Sequence, residues 1–171
     1  AVAIIANALI TELIDRCQRT DCLRNYYDVA VIGYANHSVE MLLGGDGMIS
    51  IEEISKLNPK SKILSDEQQL SEYGSAIFQH TLNEWFAPHA EGNTPMYEAL
   101  LKVRDLASEW CQKSENRESF PPVIINITDG EASDCDDNEL RDICSQIKRI
   151  ATDDGNVLLI NIHISTDNTL P

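Results

Sequence analysis

The sequence has no cysteine pair at CxxC spacing, no histidine pair at zinc-finger spacing and no long apolar run. The first two absences argue against a zinc site, and an odd set of five cysteines argues against a complete disulfide framework. No apolar run approaches the roughly 18 residues that a membrane-spanning helix needs. Unpaired thiols are typical of a reducing compartment. We therefore expect a soluble, cytoplasmic chain with no membrane partner.

Basic residues are also scarce. Thirteen lysines and arginines stand against 28 aspartates and glutamates, and the formal net charge is −15. Such a chain repels the phosphates of nucleic acids and anionic lipid surfaces. The charge balance therefore excludes nucleic acid as an expected partner.

Sequence motifs of the common enzyme classes are missing as well. There is no Walker A sequence and no G-x-G-x-x-G, the two glycine-rich motifs that cradle phosphates. The four histidines are dispersed, and the sequence gives no pattern that pairs one of them with a serine or cysteine nucleophile in a catalytic triad. We therefore expect no enzymatic activity.

What the sequence does contain is an alternation of helical and strand-like segments. With 171 residues, of which 43% are hydrophobic, the chain is long enough for one domain spanning residues 1–171. Apolar periodicity predicts helices from Val2, near 75–86, after Pro95 and near 137–152, and strands at Tyr27–Ala35, Val39–Leu43, Val123–Thr128 and Val157–Ile164. We expect the first of these strands to be central and the second to return antiparallel at an edge. The predicted fold is a three-layer, Rossmann-like, doubly wound α/β domain with a mainly parallel sheet and one antiparallel edge strand.

Two segments place oxygen ligands at the carboxyl ends of strands, where loops of such sheets converge. The first is Gly92-Asn93-Thr94-Pro95, at the start of a helix, and the second is Asp129-Gly130-Glu131, directly after a strand. Hydroxyl and carboxylate oxygens suit Mg²⁺, or Mn²⁺ in its place. The candidate metal ligands are Thr94 and Asp129.

Each candidate also has a purely structural interpretation. Thr94 before Pro95 has the pattern of a helix N-cap, and Asp129-Gly130 has the pattern of a turn that ends a strand. The acidic stretch that follows, with Asp134, Asp136 and Glu139, could hold a second metal. The spacing of Asp136 and Glu139 is instead that of a helix-capping box, which is the interpretation we favour.

The two segments resemble a known family. The stretch from Gly92 to Leu100 (GNTPMYEAL) resembles the threonine loop of von Willebrand factor A domains, and Ile127 to Glu131 (ITDGE) resembles their aspartate loop. Their order and separation also match. That family's metal-ion-dependent adhesion site (MIDAS) combines a threonine, an aspartate and an Asp-x-Ser-x-Ser motif. The resemblance assigns the first two roles to Thr94 and Asp129.

The chain departs from this family because it contains no Asp-x-Ser-x-Ser. We therefore expect a domain that lacks the first strand with that motif and is truncated at both ends. The function that the resemblance implies is a non-enzymatic, MIDAS-type protein-interaction module. In such a module Mg²⁺ or Mn²⁺ contacts an exposed acidic residue of a partner protein.

Two other functions are open on the sequence alone. One is a Mg²⁺-dependent phosphoryl-transfer or hydrolytic enzyme, in which Asp129, Asp134 and Asp136 would hold metals. The other is a metal-free structural scaffold, since two oxygen ligands alone bind Mg²⁺ weakly.

Overall fold

A computed structural model describes residues 2–71, 74–87 and 92–164, without the side chains of 64–80. The helices are α1 (Val2–Cys17), α2 (Ile51–Ser55), α3 (Met96–Gln112) and α4 (Asp137–Ile147), with a 3₁₀ turn at Ser114–Asn116. The strands are β1 (Asp28–Val29), β2 (Ile32–Ala35), β3 (Ser38–Met41), β4 (Ile49–Ser50), β5 (Lys60–Ser71), β6 (Gly74–Glu84), β7 (Val123–Thr128), β8 (Ala151–Thr152), β9 (Gly155–Asn156) and β10 (Leu158–His163). Among the described residues no helix combines the length and apolarity needed to cross a membrane.

The predicted Rossmann-like, mainly parallel sheet is wrong. In the described part of the chain the strands form five separate two-stranded sheets, four of them antiparallel. Among the described strands only β7 and β10 are parallel, joined through α4 by one crossover connection. The alternation of strands and helices thus produces a single parallel pair, because the segments before α3 form local hairpins and short ladders instead.

Contact density divides the chain into two compact units. The first contains residues 3–29 and 49–87, with α1, α2, β1, β4 and the long β5–β6 hairpin. Its buried side chains include Ile51 and Ile54 of α2. Asn7, buried in α1, donates to the carbonyl of Phe86 at 3.0 Å and accepts from the Trp85 N–H at 2.9 Å. A buried amide thus fixes the end of the hairpin to the helix.

The hairpin contradicts one sequence expectation. Residues 75–86 are predicted as a helix, yet β6 (Gly74–Glu84) pairs antiparallel with β5 along its length. Isoleucine, phenylalanine and threonine in this segment favour extended backbone. The short apolar pattern was compatible with either structure, and pairing with β5 decides it.

The second unit contains residues 30–48 and 92–164 and carries the candidate site. Its core forms between α3, α4 and the residue that precedes β10, from Met96, Leu100, Ala107, Ile143, Ile147 and Val157. Ile124 of β7 and Leu159 of β10 pack against this core. The helix after Pro95 and the strand Val123–Thr128 are therefore confirmed.

The predicted central strand is only partly right. The segment 27–35 is divided into β1 and β2, and β2 pairs antiparallel with β3, as predicted for the returning strand.

Strand β7 is not buried on both faces, because Val123 and Ile125 are 45% and 40% exposed. The apolar side chains on one face of β7 pack against the core, and those on the other face are exposed to solvent.

Candidate functional site

Three loops of the second unit meet beyond the end of β7. One joins β2 to β3 through Asn36, one precedes α3, and one follows β7 at 129–134. The backbone N–H of Asn36 donates to the carbonyl of Asn93 at 2.8 Å, and the N–H of Thr94 donates to Ser133 Oγ at 2.8 Å. The carbonyl of Thr94 accepts the N–H of Ser133 at 3.1 Å. The segments that contain Thr94 and Asp129 are therefore brought together, as predicted.

Glycine permits this close approach at two positions. Gly92 has φ +75, and a Cβ there would lie 2.8 Å from Asn36 Oδ1. A Cβ on Gly130 would lie 3.1 Å from the Thr94 hydroxyl oxygen. The Thr94 hydroxyl thus lies against the residue that follows Asp129. A side chain at Gly92 would clash with Asn36 and strain the backbone, and one at Gly130 would require a small shift of the Thr94 hydroxyl.

The helix-capping role proposed for Thr94 belongs to another residue. The N-cap of α3 is Pro95, and no side chain of its own loop caps the helix. The first free N–H groups of α3 are bound instead by the carboxylate of Asp134, from Tyr97 N at 3.1 Å and Glu98 N at 2.9 Å. Within the described residues the Thr94 hydroxyl makes no hydrogen bond. The interpretation of Thr94 as an N-cap is wrong.

The turn after β7 likewise does not depend on the side chain of Asp129. The hydroxyl of Thr128, which is buried, donates to the carbonyl of Gly130 at 2.9 Å and accepts its N–H at 3.1 Å. This pair of bonds closes the turn. The carboxylate of Asp129 is exposed and has no hydrogen bond or ion pair among the described residues. The turn thus presents this carboxylate without using it.

Two residues of the acidic stretch that follows cap helix α4. Asp136 accepts from the N–H groups of Asn138 and Glu139 at 2.7 and 2.9 Å, and Glu139 accepts the Asp136 N–H at 2.9 Å. The predicted capping box at the start of α4 is confirmed. Within residues 2–71, 74–87 and 92–164 no group of three His, Cys, Asp or Glu side chains is arranged to hold a metal.

Beside the site lies a polar network that sequence reasoning missed. The Tyr34 hydroxyl donates to Asn126 Oδ1 at 2.6 Å, and Asn126 Nδ2 donates to Asn161 Oδ1 at 2.7 Å. Burial raises the pKa of Tyr34, hydrogen bonds with Thr128 and Asn126 oppose the rise, and the negative charge of Asp129 adds to it. The two asparagines inside apolar strands were the available signal in the sequence.

Ser133 was also not predicted from the sequence. Its hydroxyl accepts the N–H of Thr94 and so joins the two loops that carry Thr94 and Asp129. No short motif marks it. No family model, curated protein or solved structure matches this chain. The resemblance to von Willebrand factor A domains therefore rests on the two sequence segments quoted above.

Proposed function

We propose that this chain is a non-enzymatic protein-interaction module, with Thr94 and Asp129 as oxygen ligands for Mg²⁺ or Mn²⁺ in contact with a partner's acidic residue. One observation carries the proposal. Thr94 could have capped α3, but Asp134 caps it. Asp129 could have closed the turn after β7, but Thr128 closes it. A hydroxyl and a carboxylate are thus left at one loop cluster with no hydrogen bond among the described residues.

The donor set fits a largely hydrated Mg²⁺. This ion prefers oxygen ligands and commonly keeps several waters while one or two protein oxygens hold it. When bound, the ion supplies positive charge to which a carboxylate of a partner protein can bind. Asp129 provides the charge that attracts the cation, and Gly130 lets the Thr94 hydroxyl approach the turn. Two protein ligands support only weak binding.

The alternative of a metal-dependent enzyme has less support. It requires Asp134 and Asp136 as metal ligands beside Asp129, and both carboxylate oxygens of Asp134 and Oδ1 of Asp136 already accept backbone N–H groups. Using them for metals would leave the first turns of α3 and α4 without their caps. The metal-free scaffold remains the second candidate, because the described residues supply few ligands.

A reducing, cytoplasmic location belongs to the same proposal. All five cysteines are free thiols, and Cys17, the most buried of them, is wholly inside the first unit. Free thiols persist where glutathione keeps them reduced.

Calorimetric titration with Mg²⁺ and Mn²⁺ tests the metal site. We expect weak binding by the unmodified chain and its loss in Asp129→Asn and in Thr94→Val, each of which keeps the size of the side chain. The matched control is Asp137→Asn, an exposed acid in the first turn of α4. Binding that survives in Asp129→Asn, or disappears equally in the control, would contradict the proposal.

A further inference from the structure

Three aspartates of this chain stand directly before a glycine: Asp46, Asp129 and Asp154. This pair of residues can isomerise without an enzyme, because glycine has no side chain to hinder its backbone nitrogen. The glycine nitrogen loses its proton and attacks Cγ of the preceding aspartate. A new N–Cγ bond forms, the C–OH bond of the protonated carboxyl group breaks, and one water molecule leaves. The product is a five-membered succinimide ring.

Water then opens the succinimide at one of its two carbonyl carbons. Addition at Cγ restores aspartate. Addition at the main-chain carbonyl carbon breaks its bond to the glycine nitrogen and gives isoaspartate, whose main chain runs through Cβ and Cγ and is one carbon longer. Water is the only co-reactant. The rate in a folded chain therefore depends on how firmly the structure holds the N–H of each glycine.

The N–H of Gly47, which follows Asp46, is not held in this way. Among the described residues it has no hydrogen-bond partner. A Cβ built on Gly44, Gly45 or Gly47 would meet no atom within 4 Å, and the side chain of Asp46 is exposed. No contact in the described part of the chain therefore opposes the approach of the Gly47 nitrogen to the Asp46 carboxyl group.

The N–H of Gly130, which follows Asp129, is held by a side chain. The Thr128 hydroxyl accepts this N–H at 3.1 Å and donates to the Gly130 carbonyl at 2.9 Å. Thr128 is only 5% exposed, so that water has little access to these bonds. The Gly130 nitrogen can attack Asp129 only after the turn opens, which lowers the rate of succinimide formation.

The N–H of Gly155, which follows Asp154, is held by the backbone. Strands β8 and β9 pair Thr152 with Gly155 across a tight turn. The N–H of Val157 donates to the carbonyl of Ile150 at 2.8 Å. Because hydrogen-bonded pairs alternate along an antiparallel ladder, Thr152 and Gly155 form the next such pair. Asp154 is thus a second protected site, and its protection does not involve Thr128.

We propose that Asp46 is a site of spontaneous isomerisation to isoaspartate in the folded chain, and that the Thr128 hydroxyl protects Asp129 from the same reaction. Both aspartates are exposed, and both precede glycine. They differ in whether the N–H of that glycine is bound. Isomerisation at Asp129 would lengthen the turn after β7 and displace the carboxylate proposed to bind the metal. The protection itself does not depend on metal binding.

Incubation of the full chain with EDTA at neutral pH and physiological temperature, followed by peptide mapping, tests this proposal. Isoaspartyl and aspartyl peptides have equal mass but separate by chromatography, and a protease that cleaves before aspartate does not cut at isoaspartate. The same chain unfolded in urea gives the reference rate for each site. We expect Asp46 to react at nearly its urea rate, and Asp129 and Asp154 to react about tenfold or more below theirs.

Two substitutions of Thr128 test the role of its hydroxyl. Thr128→Val keeps the shape of the side chain and should raise the rate at Asp129 about tenfold, with the rates at Asp46 and Asp154 unchanged. Thr128→Ser keeps a hydroxyl and should retain the protection. An equal rise at Asp154 in Thr128→Val would indicate general loosening of the fold and overturn the role of Thr128.

The folded, unmodified chain gives the remaining contrary results. A rate at Asp46 that is as far below its urea rate as the rate at Asp129 would overturn the proposal. An unchanged rate at Asp129 in Thr128→Val would also overturn it. Because EDTA is present, none of these outcomes bears on the metal site.

Discussion

The loop after β7 contains two groups of acidic residues that look alike in sequence and differ in the folded chain. Asp134 and Asp136 accept backbone N–H groups at the starts of α3 and α4. Asp129, five residues before Asp134, has no such bond among the described residues. A carboxylate near a helix N-terminus is therefore first a structural group, because it accepts the free N–H groups there. Only one left over from that role is a candidate for binding.

The largest expected effect is on Asp134, which joins the loop to α3. Replacing it with alanine leaves the N–H groups of Tyr97 and Glu98 without their acceptor, at a cost of about 1–2 kcal/mol in unfolding free energy. Asp129→Ala, as the matched change, should stay within about 0.5 kcal/mol of the unmodified chain. Urea denaturation measures both values. Equal losses in the two variants would remove the distinction between the groups.

A smaller loss is expected for Asp136→Ala. The capping box at α4 then loses two bonds from Asn138 and Glu139, which costs about 1 kcal/mol. Glu139→Gln, which retains an acceptor for the Asp136 N–H, should cost less. Thermal unfolding of the two variants checks the order. A reversed order would show that charge at the helix start matters more than the hydrogen bonds.

The same acidic segment should slow the chemistry of its cysteine. Burial raises the pKa of Cys135, and the neighbouring charges of Asp134, Glu139, Asp136 and Asp137 add to the rise. At pH 8 less thiolate is therefore present than in a free thiol, and alkylation by iodoacetamide should be slower than that of glutathione. Asp136→Asn should speed it. A rate equal to that of glutathione in the unmodified chain would contradict this description of the segment.

The charge of Asp129 should likewise affect the titration of Tyr34. Because the pKa of Tyr34 is raised in the folded chain, the unfolded chain loses the phenolic proton at a lower pH than the folded chain does. The contribution of Tyr34 to the unfolding free energy is therefore complete below about pH 10. It is lost as the pH rises through the higher pKa of the folded state. Stability should thus fall above about pH 10, and less steeply in Tyr34→Phe. Asp129→Asn should lower the tyrosinate midpoint followed by ultraviolet absorbance, and an unchanged midpoint would show that the two groups do not interact.

Sequence periodicity identified the elements of the second unit better than their assembly. Apolar runs and capping residues are local signals, and they correctly predicted β7, α3 and the capping box at Asp136. Strand pairing depends on contacts between distant residues, so the predicted parallel sheet was wrong and β6 was mistaken for a helix.

The candidate site was predicted as two residues and not as a cluster. The loop positions of Thr94 and Asp129 followed from turn and helix-start signals. Those signals could not show that Asp134, and not Thr94, caps α3. They also could not show that Thr128, and not Asp129, closes the turn after β7. Asp134 lies 36 and 37 residues from the N–H groups that it caps, and a single sequence carries no signal for such a pairing, whereas the Thr128–Gly130 bonds are local.

Paramagnetic broadening by Mn²⁺ tests the division of the loop most directly. In a titration of the ¹⁵N-labelled chain with substoichiometric Mn²⁺, we expect the amide signals of Thr94, Asp129 and Gly130 to broaden first. The amides of Asn138 and Glu139, in the capping box, should broaden only at higher Mn²⁺ concentration. Earlier broadening at Asn138 and Glu139, or uniform broadening over the acidic surface, would contradict the assignment of Asp129 and Thr94 as the metal ligands.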